Sequence, residues 1–411
     1  MAAISATGFD AARLARLEPF LRAQYLDTGR LPHAQLLIAR GGDIVHFSHQ
    51  GAARAGSERP IDERSIFRIA SMTKPITSLG FMMLVEEGKF ALDTPLHHVF
   101  PGFAGTGVYA GGGGGVPYAT RAPAEPIRMV DLLRHTSGLT YGFQYRTNVD
   151  AGYRADNVDM DRIPLWHGPE DLDAVVTRLA AHPLEFSPGE AWNYSVSTDV
   201  LGAVIQRVSG LPLDRYLEER IFAPLGMADT GFWVPADKAD RLVDCYAWNA
   251  AAGERVMYDR GAESMWLKPP RLFSGGGGLV STALDYHRFC RLCANGGVLD
   301  GTRLIGRKTL ELMRTNHLPG RSDLASLSRS MFSETQNAGA GFGLGFAVTK
   351  DVARSMIPGS EGEYYWGGLF STSFFIDPAE DFHVIFMTQL SPSSTFPIRR
   401  ELKTLIYAAL D

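Results

Sequence analysis

A chain of 411 residues is longer than one small core can serve, so two lobes or domains are expected. Apolar residues make up 45% and charged residues 21%, an ordinary globular profile, and the net charge of -5 leaves no basic face for nucleic acid. No apolar run approaches the roughly 18 residues of a membrane-crossing helix, so no membrane partner is expected either.

Met1 to Gly8 carries no basic stretch leading into an apolar core, so the sequence reads as cytosolic rather than exported. Leu14, Leu17, Leu21 and Tyr25 then recur at helical spacing, closed by Gly29, and predict an amphipathic helix. Gln35 to Arg40 and Ile44 to Ser48, joined by Gly41-Gly42, predict two strands and a tight turn. The strand-like Ser65 to Arg68 leads into an almost wholly apolar helix from Ser71 to Glu87. Pro101 to Pro126, with the run Gly111 to Gly115, shows no periodicity and reads as a long loop. Helical patterns follow at Met129 to Arg134, Leu172 to Ala181, Thr198 to Val208 and Lys308 to Arg314. Gly275 to Gly278 precedes an apparent helix start at Leu279 to Thr282. Phe342 to Lys350, Gly368 to Asp377 and His383 to Gln389 read as strands, and Phe396 to Leu410 as a closing helix. Periodicity alone supports a mixed α and β protein.

Three cysteines suit a reducing compartment. Cys290 and Cys293 form a CxxC inside a helical stretch with no second pair, so buried structural thiols are expected rather than zinc ligands. No HExxH, P-loop, EF-hand loop or dinucleotide fingerprint occurs, and neither metal nor cofactor is expected.

The chemistry concentrates in three places. Ser71-Met72-Thr73-Lys74 puts a hydroxyl and an amine at i and i+3, on one helical face and about 5–6 Å apart at Cβ. An ordinary lysine titrates near ~10.4, and bringing it to ~7 takes roughly 4.6 kcal/mol. Burial and the positive end of a helix both act in that direction. The plain alternative is an N-cap serine and a solvated lysine.

Tyr194, in Trp192 to Ser197 before an apolar helix, is either a packed aromatic or a proton shuttle beside Lys74. Trp366-Gly367-Gly368-Leu369, read as the start of a strand, is either a packing tryptophan with a bulge or a backbone approach for substrate. In the second case an N–H there pairs with that of Ser71 in an oxyanion hole.

Ser71-xx-Lys74, Tyr194 and Trp366-Gly367-Gly368, in this order, resemble the β-lactamase-like serine esterases called family VIII carboxylesterases. Leu132 to Leu139 and Gly276 to Thr282 are also similar to that superfamily. The resemblance implies an antiparallel sheet built from both chain ends, residues 1–65 and 335–411, with an inserted helical lobe, residues 66–334, and the site between them. It implies Ser71 as nucleophile, Lys74 and Tyr194 sharing the base role, and the N–H groups of Ser71 and Leu369 as oxyanion hole. Trp366, Gly367, Gly368, Tyr141, Phe143 and Gln144 are the implied substrate contacts, with Tyr145 on the same loop, and His135 is read as a scaffold residue.

Relatives that cleave β-lactams usually have Tyr-x-Asn and Lys-Thr-Gly, where this chain has Val196 and Trp366-Gly367-Gly368. Those departures suit a small neutral ester. A β-lactamase or D-amino-acid peptidase, and an inactive relative used for binding, stand as the alternatives.

Overall fold

The structure, a computed structural model, describes residues 8–329 and 338–411. Both ends of the chain meet in one sheet. β1 (His33–Arg40) and β2 (Asp43–Gly51) form a hairpin, with positive φ at Gly41 and Gly42 in its turn. The C-terminal part supplies β3 (Ala340–Phe342), β4 (Ala347–Thr349), β5 (Tyr364–Gly367), β6 (Ser373–Asp377) and β7 (Phe382–Met387). The seven strands lie in the order β3-β4-β5-β6-β7-β1-β2, and every pair is antiparallel. The seam between the two chain ends is β1 on β7, with Leu37 opposite Ile385 and Gln35 opposite Met387.

Strand side chains alternate between faces, and here both faces are covered. Leu36, Ile38, Val384 and Phe386 point to the terminal helices, while Leu37, Ala39, Ile385 and Met387 join the large central core. The closing helix α4 (Ile398–Tyr407) buries Ile398, Leu402 and Ile406, a four-residue spacing that lays one stripe on the sheet. Between the chain ends run α1 (Thr73–Glu86), α2 (Ser197–Ser209) and α3 (Ala283–Ala294). Every residue of α1 from Thr73 to Leu84 is buried, as its apolar circumference requires.

The differences from the sequence reading have local causes. The N-terminal helix is broken into Ala11–Leu14, Leu17–Leu21 and a wide turn Arg22–Leu26. Pro19 has no N–H and its ring excludes the Ala15 carbonyl four residues back, so the break falls there. Pro101 to Pro126 is not a structureless loop: Val108–Gly113 and Val116–Arg121 form a hairpin. Its mostly exposed strands carry no apolar alternation to read, and Gly112 to Gly115 supply the positive φ values of the turn. Leu279 to Thr282 does not start a helix. Val280–Ser281 pairs with Phe67–Arg68, and Thr282 caps α3 by accepting the Asp285 N–H. Phe342 to Lys350 likewise folds as β3, a turn and β4, because Gly343 and Gly345 interrupt it.

All three cysteines, Cys245, Cys290 and Cys293, are buried thiols without disulfides, and burial pushes each thiol pKa up. Among the described residues no helix is long and apolar enough to cross a membrane. The expectations for residues 1–7 and for a boundary at residues 334/335 fall outside the described residues.

Candidate active site

Ser71 sits in a tight turn, Ala70–Met72, that runs straight into α1. Ala70 has a φ of 44°, a left-handed backbone that costs a non-glycine residue of order 1–3 kcal/mol. Lys74, one turn on, is 2% exposed and donates to Ser71 Oγ at 3.1 Å and to the Gly276 carbonyl at 2.6 Å. The Tyr194 hydroxyl lies 2.6 Å from Ser71 Oγ. Lys74 Nζ also stands over the ring of Tyr194 at 4.5 Å and that of Tyr141 at 5.4 Å. Serine, lysine and tyrosine therefore share one hydrogen-bonded cluster, with two aromatic faces against the lysine nitrogen.

The Tyr194 segment is held by Arg134 to Thr140. Asn193 Nδ2 donates to the Leu139 carbonyl at 3.0 Å, and the Val196 N–H to that of Thr140 at 3.2 Å. His135 Nδ1 pairs with Ser195 Oγ at 3.2 Å, and its ring lies 5.0 Å from that of Tyr194. Burial, helped by Lys74, pushes the His135 pKa well below the ordinary histidine range. A neutral, enclosed imidazole bonded to Ser195 is a brace for the tyrosine loop.

Trp366 to Leu369 ends β5 and begins a turn, rather than starting the strand to Asp377. Gly367 pairs with Ser373, and the Gly368 N–H returns to the Thr372 carbonyl at 2.9 Å. A Cβ at Gly368 would collide with the Ile69 carbonyl and the Thr372 hydroxyl, so only glycine lets this turn close on the segment carrying Ser71. Among the described residues, neither the Ser71 nor the Leu369 N–H donates to another group.

The implied substrate contacts divide. Phe143 is 40% exposed and stacks on Tyr141 at 4.9 Å, and Leu369 is 42% exposed, so apolar surface flanks the cluster. Trp366 is placed otherwise: it is 2% exposed and backs Tyr194, ring centres 5.6 Å apart, so its ring supports the tyrosine. Gln144 also turns inward, donating to the Tyr194 carbonyl at 2.6 Å and accepting from Arg146. Tyr145 is exposed, its ring under the guanidinium of Arg154.

The sequence reading missed two contributors. Arg399, at the start of α4, donates to the carbonyls of Gly368 at 2.8 Å and Thr372 at 2.6 Å, clamping the turn that carries Leu369. The Gly276 carbonyl is the second acceptor for Lys74. Neither has a local signal, since one is a remote arginine and the other a backbone atom.

The beta-lactamase family model matches residues 21–408. The chain belongs to the beta-lactamase family. Within it, the chain is 31% identical over 425 residues to esterase EstB of Burkholderia gladioli, spanning 98% of each protein. It is 30% identical over 370 residues to lovastatin esterase of Penicillium rubens, covering 86% of this chain and 87% of the relative. Among solved structures it is similar to EstCE1, a hydrolase with promiscuous acyltransferase activity, at a TM-score of 0.78 and 26% identity over 96% of this chain and 99% of that one.

Proposed function

We propose that this beta-lactamase family member is a serine carboxylesterase acting on small or short-acyl esters through an acyl-enzyme on Ser71. One observation carries the reading: Ser71 Oγ is within hydrogen-bond reach of both Lys74 Nζ and Tyr194 OH. Tyr194, as phenolate stabilised by the Lys74 ammonium, takes the Ser71 proton while Oγ attacks the ester carbonyl. The N–H groups of Ser71 and Leu369 hold the oxyanion, worth roughly 3–4 kcal/mol per donor. Tyr194 then returns the proton to the departing alcohol, and water releases the acid by the reverse sequence. When an alcohol or amine replaces water, the reaction is acyl transfer.

The esterase names of two relatives support the substrate class, as does the apolar surface of Phe143 and Leu369. Val196 is wholly buried and Trp366 stands where a lactam-cleaving relative has a lysine, so β-lactamase and D-amino-acid peptidase readings are not favoured. The cluster of serine, lysine and tyrosine likewise disfavours an inactive binding relative. We assign residues 1–65 and 335–411 to one domain and 66–334 to the other, with the site between them. The free cysteines support a cytoplasmic location.

Hydrolysis of p-nitrophenyl acetate and butyrate by wild type and Ser71→Ala tests the reading. Activity confined to wild type is expected, and equal rates would refute the assignment of Ser71.

A further inference from the structure

Asp199 lies on the first turn of α2, at 0% exposure and behind Lys74. Its Oδ1 accepts from Ser274 Oγ at 2.6 Å and from the Gly276 N–H at 3.0 Å. The carbonyl of that same Gly276 receives Lys74 at 2.6 Å. On the other side, Thr77 Oγ1 donates to the Gly275 carbonyl at 2.9 Å, so the Ser274 to Gly276 segment is gripped from both α1 and α2. A Cβ at Gly276 would collide with the Asp199 carboxylate, so the approach depends on glycine. Asp199 Oδ2 has no hydrogen-bond partner among the described residues. An isolated buried carboxylate is costly, and it persists where a nearby cation offsets it.

We propose that Asp199 is the positioning residue of Lys74: it seats the Gly276 carbonyl on the amine and supplies the counter-charge that keeps the amine protonated, leaving the base role to Tyr194. The proposal rests on the acyl-enzyme reading of Ser71 and deepens it. The titratable groups facing Asp199 and Lys74 are Asp161 from the loop before Ile163, His135, and the phenols of Tyr141 and Tyr194. Burial raises the Asp199 pKa, and Lys74 is the strongest influence pulling it back, followed by the Ser274 hydroxyl and the Gly276 N–H. An ammonium held in this way cannot accept the serine proton, but it lowers the cost of a phenolate beside it.

Asp199→Asn separates charge from geometry, because the amide oxygen still accepts from Ser274 and Gly276. Its kcat on p-nitrophenyl butyrate is expected to fall about tenfold or more with KM within about twofold, the pattern of a defect in the transition state. Both limbs of its pH–rate profile are expected to move about one unit lower, since removing a negative charge eases proton loss from Lys74 and Tyr194 alike. Limbs that stay in place overturn the proposal, whether or not kcat falls, because a purely structural defect slows the reaction without moving them. If Asp199→Asn does not fold, Ser274→Ala decides. It removes one donor to the carboxylate and so weakens the counter-charge, and both limbs are expected to move lower as in Asp199→Asn but by less; unmoved limbs overturn the proposal. Ser71→Ala run alongside keeps the two ideas apart: activity there equal to wild type defeats the acyl-enzyme reading, whereas an unmoved Asp199→Asn profile defeats only the role of Asp199.

Discussion

Two regions of this molecule bury titratable side chains against one another, and they do so to opposite ends. At the Ser71 cluster the groups differ in kind: an amine and a phenol meet a partly accessible hydroxyl, with the Asp199 carboxylate behind the amine. Between α3 and β7, His287 and His383 instead face each other, Nδ1 to Nε2 at 2.8 Å with rings stacked at 4.9 Å. Burial pushes their pKa values down, to about 4 for His287 and about 3 for His383. Like groups in a closed space settle by staying neutral, and the result is packing. Unlike groups around an open hydroxyl can exchange a proton, and the result is a reactive site. Burial and a short hydrogen bond are common to both, so neither marks function by itself.

Substitutions at the first region carry the largest expected effects. Ser71→Ala is expected to reduce ester hydrolysis at least about 10⁴-fold, measured as kcat/KM on p-nitrophenyl butyrate. Tyr194→Phe removes the hydroxyl alone and is expected to cost about 10²–10⁴-fold, as loss of a proton-transfer group does. Gly368→Ala is next: the new methyl collides with the Ile69 carbonyl, displaces the Leu369 N–H and is expected to lower kcat about 10²-fold. Arg399→Gln unclamps the same turn from outside, and a loss of about tenfold in kcat is expected, from roughly 1.4 kcal/mol of lost positioning.

The histidine pair predicts no effect on rate, only one on stability. As pH falls below 6.5 the unfolded chain binds protons that the folded histidines refuse, so folding is disfavoured progressively down to their depressed values. Raised carboxyl groups, Asp161 at about 7 and Asp285 at about 6, act in the opposite sense, because there the folded state holds the proton. The pair is therefore best isolated as a difference. Between pH 6.5 and 4.5, denaturant titrations are expected to show His383→Gln losing less stability than wild type, by about 1.4 kcal/mol per pH unit. His383→Gln should leave esterase activity at neutral pH unchanged, and a loss of activity would erase the contrast between the two regions.

Much of the first region was legible in the sequence. Ser71 and Lys74 announce themselves because helical spacing converts i and i+3 into contact, and α1 is apolar enough to demand burial. Tyr194 was legible only through its order in the chain and a resemblance, since no local rule brings residues 71 and 194 together. The sheet was readable where both faces are covered, at β1 and β7, and unreadable in the exposed Val108–Arg121 hairpin. For Trp366, an implied substrate contact, sequence gives a residue type but not a direction, and the buried ring turns to Tyr194. Asp199, Arg399 and the Gly276 carbonyl act through neighbours, and such supports appear only once the backbone is in place.

The central claim is that Ser71 carries the acyl group. Wild-type protein quenched during turnover of p-nitrophenyl butyrate and digested for mass spectrometry tests it most directly. A butyryl adduct on the peptide containing Ser71, absent from Ser71→Ala, is the expected result. Turnover at full rate with the adduct on another residue, or with Ser71→Ala still active, would contradict it.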